Sequence, residues 1–88
     1  MNNRQLGTLT AIFAHPTRLD IRWADVVSLL LALEAIVDEG REGSRVGVHL
    51  RGVTIILHRP HPRPCIGPDT VRSLRRFLRE ARVKPEGH

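Results

Sequence analysis

The stretch SRVGVHLRGVTIILH, Ser44 to His58, contains two short apolar runs separated by two residues. Apolar side chains occupy every second position late in the first run: Val46, Val48 and Leu50. This period is typical of a β-strand with one buried face. Arg51-Gly52 then predicts a hairpin turn, and Val53 to Leu57 the return strand. We therefore expect an antiparallel pair whose other face, carrying Arg45 and His49, is open.

Helical patterns flank this hairpin. Apolar residues recur three and four positions apart from Asn3 to about Ala14 and again from Trp23 to Leu33. The short run AIVDEG (35–40) predicts a further strand, and Gly67-Pro68 predicts the start of a last helix. The arginines of that helix are expected on its outer face: Arg72, Arg75, Arg76, Arg79 and Arg82. The order predicts one α+β domain, with a three-stranded antiparallel sheet and helices on one of its faces.

Composition narrows the kind of protein and the kind of partner. The 88 residues are 41% hydrophobic, without a run long enough to span a membrane and without a signal-peptide pattern, which favours a cytoplasmic protein. Two Phe, one Trp and no Tyr argue against base stacking on an aromatic platform. Net charge is −2 over residues 1–44 and +7 over residues 45–88. The second half therefore suggests a polyanionic partner, the alternatives being a solvated basic face or an acidic protein partner.

Several short motifs, taken in order, resemble the HicA family of small toxins over residues 23–84. They are Gly43-Ser44, Pro60-His61-Pro62-Arg63 and VRSLRRFLREA (71–81). HicA proteins are mRNA interferases of bacterial toxin–antitoxin pairs, with an α-β-β-β-α fold like that of double-stranded-RNA-binding domains. The resemblance implies this fold for a single domain over residues 1–88, with residues 2–20 as an extra helical extension. It also implies mRNA and a HicB-like antitoxin as partners.

Arg45 stands where the family motif, Gly-Ser-His, has its catalytic histidine. A guanidinium can stabilise the anionic phosphorane of RNA cleavage but is a poor base. His49 on the same strand face is our candidate base, because imidazole titrates near neutrality. His61, held between two prolines, is the candidate acid. The alternatives are a strand histidine without a catalytic role at position 49 and a rigid connector over residues 60–64.

The remaining arginines of the basic half are the expected RNA contacts: Arg51, Arg59, Arg63, Arg72, Arg75, Arg76 and Arg79. We expect no metal and no other cofactor, since His58, His61 and Cys65 lack a fourth ligand at standard zinc spacing. The sequence therefore predicts a toxin that binds and cleaves mRNA and is neutralised by an antitoxin. The alternatives are a non-catalytic RNA-binding or protein-interaction module that keeps the fold, and a DNA-binding protein that uses the last helix.

Overall fold

The computed structural model describes residues 1–40 and 42–84 and has the predicted order of elements. These are α1 (Asn3–Phe13), α2 (Trp23–Ala32), β1 (Ile36–Asp38), β2 (Arg45–Leu50), β3 (Val53–His58) and α3 (Pro68–Glu80). Arg41, in the turn predicted after β1, and the last four residues of the predicted domain lie outside the described range. The strands form one antiparallel sheet with β2 in the centre, which confirms the α+β fold. No helix of the described residues is long and apolar enough to cross a membrane.

The hairpin turn sets which residues of β2 and β3 face each other. Leu50 pairs with Val53 across Arg51 and Gly52, whose φ angles of 50° and 81° are both positive, as a two-residue type I′ turn requires. The same register continues to the end of the ladder, where β2 begins and β3 ends. A two-residue turn therefore determines every cross-strand neighbour in the hairpin.

The inner face of the sheet forms the core with the helices, as the alternation predicts. Val46 and Val48 are fully buried. The helices contribute a larger buried set: Leu9, Ile12, Val26, Leu29, Leu30, Val71, Leu74, Phe77 and Leu78. Leu31, which falls off the apolar stripe of α2, is exposed. The sheet is therefore covered on one side, and its other side carries the even-numbered residues of β3.

Capping residues fix where the helices begin and end. Asn2 and Gln5 form a reciprocal capping box at the start of α1, with hydrogen bonds of 2.8 and 2.9 Å. A residue in the left-handed region lies two positions beyond the last residue of α2 and of α3. These residues are Glu34, at φ 66°, and Arg82, at φ 64°. The following amides, those of Ala35 and Val83, donate back into the last helical turn. Both ends therefore have the Schellman geometry that usually takes glycine.

Arg75 corrects the predicted outer face of α3. Its side chain is only 8% exposed. Nε donates to the carbonyl oxygen of Ile12 at 3.0 Å, and Nη2 lies 3.3 Å from that of Ala14 and 3.4 Å from Thr17 Oγ1. The end of α1 covers this side of α3, so the arginine serves as the donor for carbonyls that α1 leaves without helical partners. The prediction that Arg75 lies on the outer face is wrong.

Candidate functional site

The open face of the sheet presents its side chains in three rows across the strands. The rows are Ile36, His49 and Thr54; Asp38, Gly47 and Ile56; and Arg45 with His58. Ile36 and Ile56 are 67% and 43% exposed, whereas Gly47 is buried. The expected placement of Arg45 and His49 on this face therefore agrees with the strand register. The face has a histidine at each end of the β2–β3 ladder.

His49 lies at the end of the face nearest the hairpin turn. Its Nδ1 lies 2.8 Å from the Oγ1 of Thr54, the residue directly opposite on β3. This hydrogen bond fixes the orientation of a half-buried ring and leaves Nε2 as the second ring nitrogen available to a ligand. Thr54 is a partner that the analysis of β2 alone does not reveal.

Arg45 and His49 share a face but are not close together along it. His49 lies four positions after Arg45, which corresponds to about 13 Å at the usual rise of a strand. For both to act on one phosphate, the two side chains would have to lean toward each other over Gly47. The structure therefore puts the two predicted residues on one surface without bringing them into contact.

His58 is the histidine that the register brings beside Arg45. The two residues face each other directly at the last pair of the ladder, and both are exposed. Because the amide of Arg59 donates to the Ser44 carbonyl at 2.8 Å, the Arg45–His58 pair is of the non-hydrogen-bonded type. Side chains in such pairs are the closer ones, with Cβ atoms about 5 Å apart. Counting outward from the two-residue turn would have found this pair from the sequence.

His61 lies in the loop that follows β3, three residues beyond His58 and away from the hairpin turn. Residues of this loop line a groove of about 380 Å³ together with Leu19 and the first residue of α3: Pro60, His61, Pro62, Arg63, Cys65, Ile66, Gly67 and Pro68. Two backbone hydrogen bonds tie the end of this loop to the segment before α2: Trp23 N to Pro64 O and Ile66 N to Ile21 O, each 2.9 Å. His61 is exposed. It follows the end of the ladder that carries Arg45, whereas His49 lies near the opposite end.

Several of the arginines predicted to bind RNA already have partners within the fold. The Nη1 of Arg51 donates to the carbonyl oxygens of Ala81 at 3.0 Å and Arg82 at 3.3 Å, at the end of α3. Other guanidinium groups contact single side chains: Arg59 with Glu39 at 3.3 Å, Arg72 with Asp69, and Arg79 above the ring of Phe13 at 5.7 Å. Except for the Arg72–Asp69 pair, which lies within α3, these contacts join different parts of the fold, and each reduces what the guanidinium can offer to a ligand.

Three of the predicted site arginines have exposed side chains with no hydrogen bond, ion pair or ring contact to the described residues. They are Arg45 on the sheet, Arg63 in the loop and Arg76 on α3. Arg76 lines a groove of about 270 Å³ between α3 and the edge of β3. These three guanidinium groups therefore have all five donors available to an anion.

The fold and this surface define a small α+β domain with imidazole and guanidinium groups on an open sheet face. A family model described as the HicA toxin of bacterial toxin–antitoxin systems matches residues 23–83, which is more than half of the chain. The protein therefore belongs to the HicA toxin family, whose members are known in general as ribonuclease toxins. The match begins at the first residue of α2, so α1 precedes it. No curated protein and no solved structure matches the chain.

Proposed function

We propose that this protein is a HicA-like toxin that binds and cleaves cytoplasmic mRNA without a metal and is neutralised by a HicB-like antitoxin. The observation that supports it is an open sheet face with Arg45 and two histidines in a chain of a ribonuclease toxin family. The α-β-β-β-α order also supports an analogy with double-stranded-RNA-binding domains. The RNA would lie across the open face, with its neighbouring phosphates near Arg63 and Arg76.

Metal-free RNA cleavage needs three things from the protein. A base must take the proton of the ribose 2′-hydroxyl, an acid must give a proton to the departing 5′-oxygen, and a cation must stabilise the phosphorane between them. Arg45 is the proposed cation, since its planar fork suits two non-bridging oxygens. The sequence identifies His49 and His61 as proton-transfer candidates. His49 has a hydrogen-bonded Nδ1 and a second nitrogen for chemistry, and His61 follows the strand that ends opposite Arg45.

A second function is supported by one residue. Arg45 occupies the position at which the family resemblance expects the catalytic histidine, and arginine hardly deprotonates. A chain with this replacement can keep an RNA-binding or protein-binding surface after losing cleavage. The exposed arginines of α3 also suit an acidic antitoxin, so binding alone does not distinguish the two functions.

Cleavage of a long RNA in the presence of EDTA tests the proposal. We expect the wild-type protein to produce fragments, and Arg45→Ala to slow cleavage about a hundredfold. Arg18→Ala is the control, because among the described residues the Arg18 guanidinium hydrogen-bonds to Asp20 alone, in the loop before α2. The His49→Ala and His61→Ala variants measure the two candidate imidazoles in the same assay.

Two results of this assay would contradict the proposal. If the wild-type protein is inert while Arg45→His cleaves, the protein is a non-catalytic module that retains the fold. If EDTA abolishes the cleavage, and added Mg²⁺ restores it, the metal-independent mechanism is wrong.

A further inference from the structure

We infer that His58 is the imidazole that works with Arg45, as the base that takes the 2′-hydroxyl proton. The inference rests on the proposed function, because it assigns a residue within the same reaction. It is carried by the strand register, which puts the two side chains opposite each other on the open face at the last pair of the ladder. Analysis of β2 by itself cannot find it.

Distance from Arg45 distinguishes His58 from His49 as a candidate base. A scissile phosphate held by Arg45 must also lie within reach of the base that deprotonates the adjacent 2′-hydroxyl. The Cβ atoms of directly opposed residues are about 5 Å apart. The four positions from Arg45 to His49 correspond to about 13 Å along the strand. One phosphate can therefore contact Arg45 and His58 together without any bending of the sheet. It can contact Arg45 and His49 together only if both side chains extend toward it.

The hydrogen bonds of the two histidines also favour His58 over His49 as the base. His49 is half-buried and bonded to Thr54 through Nδ1. His58 is exposed, and neither of its ring nitrogens hydrogen-bonds to any of the residues 1–40 and 42–84. Arg59, the residue directly after β3, forms an ion pair with Glu39. His58 is thus held in position by the ladder while its ring remains available to substrate.

This arrangement supports attack of the ribose 2′-oxygen on the adjacent phosphorus, with His58, Arg45 and His61 in separate roles. Neutral His58 takes the proton of the 2′-hydroxyl, and the 2′-oxygen forms a bond to phosphorus. Arg45 binds the non-bridging oxygens while the phosphorane is anionic. The bond from phosphorus to the 5′-oxygen then breaks, and that oxygen takes a proton from His61, the proposed acid. The products are a 2′,3′-cyclic phosphate and a free 5′-hydroxyl.

The family resemblance gives this pair a simple meaning. The histidine expected on β2 is replaced by Arg45, and an imidazole stands directly across the ladder on β3. The row therefore contains one imidazole, that of His58, on β3 instead of β2. The position on β2 where the histidine is expected holds the cation of Arg45.

Single-turnover cleavage in EDTA, compared among histidine variants, tests the assignment. His58→Ala should lower the rate about a hundredfold or more and by more than His49→Ala does. The control variant His15→Ala, in the exposed loop after α1, should remain within about threefold of wild type. Free imidazole added to His58→Gly should restore part of the lost rate, which a purely structural role would not allow. Thermal unfolding of each variant checks that it is folded.

A footprint on an uncleavable ligand adds a readout independent of catalysis. The probe is a 2′-O-methyl oligoribonucleotide, which has no 2′ proton to lose, combined with diethylpyrocarbonate labelling of histidines. We expect His58 to be protected, and protection to be lost in Arg45→Ala. The control is the exposed His15, in the loop after α1, which should label equally with and without the oligonucleotide.

The outcomes separate this inference from the proposed function. A wild-type protein that is inert in EDTA overturns both. An active wild type whose His58→Ala variant cleaves at the wild-type rate overturns the role of His58 alone. Unprotected His58 in a protein that binds the oligonucleotide does the same.

Discussion

Two regions of the molecule contain arginines in opposite circumstances. At the C-terminal ends of α1 and α3, Arg75 and Arg51 donate to main-chain carbonyls that the helices leave without partners. At the far end of the open sheet face, Arg45 is exposed and hydrogen-bonds to none of the described residues. The same side chain therefore stabilises the fold in one region and is available to a ligand in the other.

The difference shows which part of the positive charge can bind RNA. Helix C-termini attract cations because their last carbonyls are unpaired and the helix dipole is negative there. An arginine placed at such an end contributes to the net charge of +5 but has little left for phosphate. Charge counting alone therefore overstates the RNA surface, and the hydrogen-bond partners correct it.

The largest expected effect is on stability, at Arg75. Arg75→Met keeps the apolar stem but removes the donors to Ile12 and Ala14, so it should lower the free energy of unfolding by about 3 kcal/mol. The matched variant Arg76→Met, one residue along the same helix, should change it by less than about 0.5 kcal/mol. Urea denaturation measures both. Equal losses in the two variants would mean that the buried contacts of Arg75 contribute nothing special.

The next effect concerns RNA affinity and its dependence on salt. Each arginine that displaces a counterion from single-stranded RNA contributes a slope of about 0.7 in log affinity against log salt. Arg45→Ala combined with Arg76→Ala should therefore flatten the slope by about 1.4, or about sevenfold in affinity between roughly 50 and 200 mM salt. Fluorescence anisotropy with a labelled RNA measures it. An unchanged slope would move the RNA surface away from these two residues.

Arg51 should give the reverse pattern. Arg51→Ala removes the donor to the end of α3, and because the residue is exposed we expect a loss of only about 1 kcal/mol. Its salt slope for RNA binding should equal that of the wild type. A flattened slope with unchanged stability would show instead that Arg51 belongs with Arg45.

The smallest expected effect is a gain in stability at a helix end. Glu34 has a φ of 66°, a conformation that costs a non-glycine residue about 1–2 kcal/mol. Glu34→Gly relieves this strain but adds about 0.5–1 kcal/mol of chain entropy to the unfolded state, so we expect a net gain of about 0.5 kcal/mol. Thermal unfolding measures it. Glu34→Ala keeps the strain and should show no gain, so equal melting temperatures for both variants would contradict the explanation.

Much of the fold follows from local patterns in the sequence. The period of two in β2 places Val46 and Val48 inside, and the period of the last helix places Leu74 and Leu78 inside, as the structure confirms. Glu34 lies two residues beyond the end of α2, at the left-handed position that usually takes glycine. These features depend on neighbours within a few residues, which the sequence displays directly.

Features that depend on a second element were harder to predict. Arg75 lies four residues after Val71 and three before Leu78, so the helical period places it at the inner face, but its charge favoured the outer one. What buries it is the end of α1, which the pattern of α3 does not contain. The pairing of His58 with Arg45 also needs the register, although that follows from a turn only two residues long.

The two-residue turn has a consequence for how this protein can change over generations. Side chains alternate between faces, so one residue inserted between Arg51 and Gly52 would displace the whole return strand by one position relative to β2 if the turn kept two residues instead of expanding to a three-residue loop. His58 would then leave the row of Arg45, although every residue type was retained. Exchanges of type within a row, by contrast, leave the neighbours in place. A register shift in the hairpin therefore changes more cross-strand neighbours than the exchange of any one strand residue does.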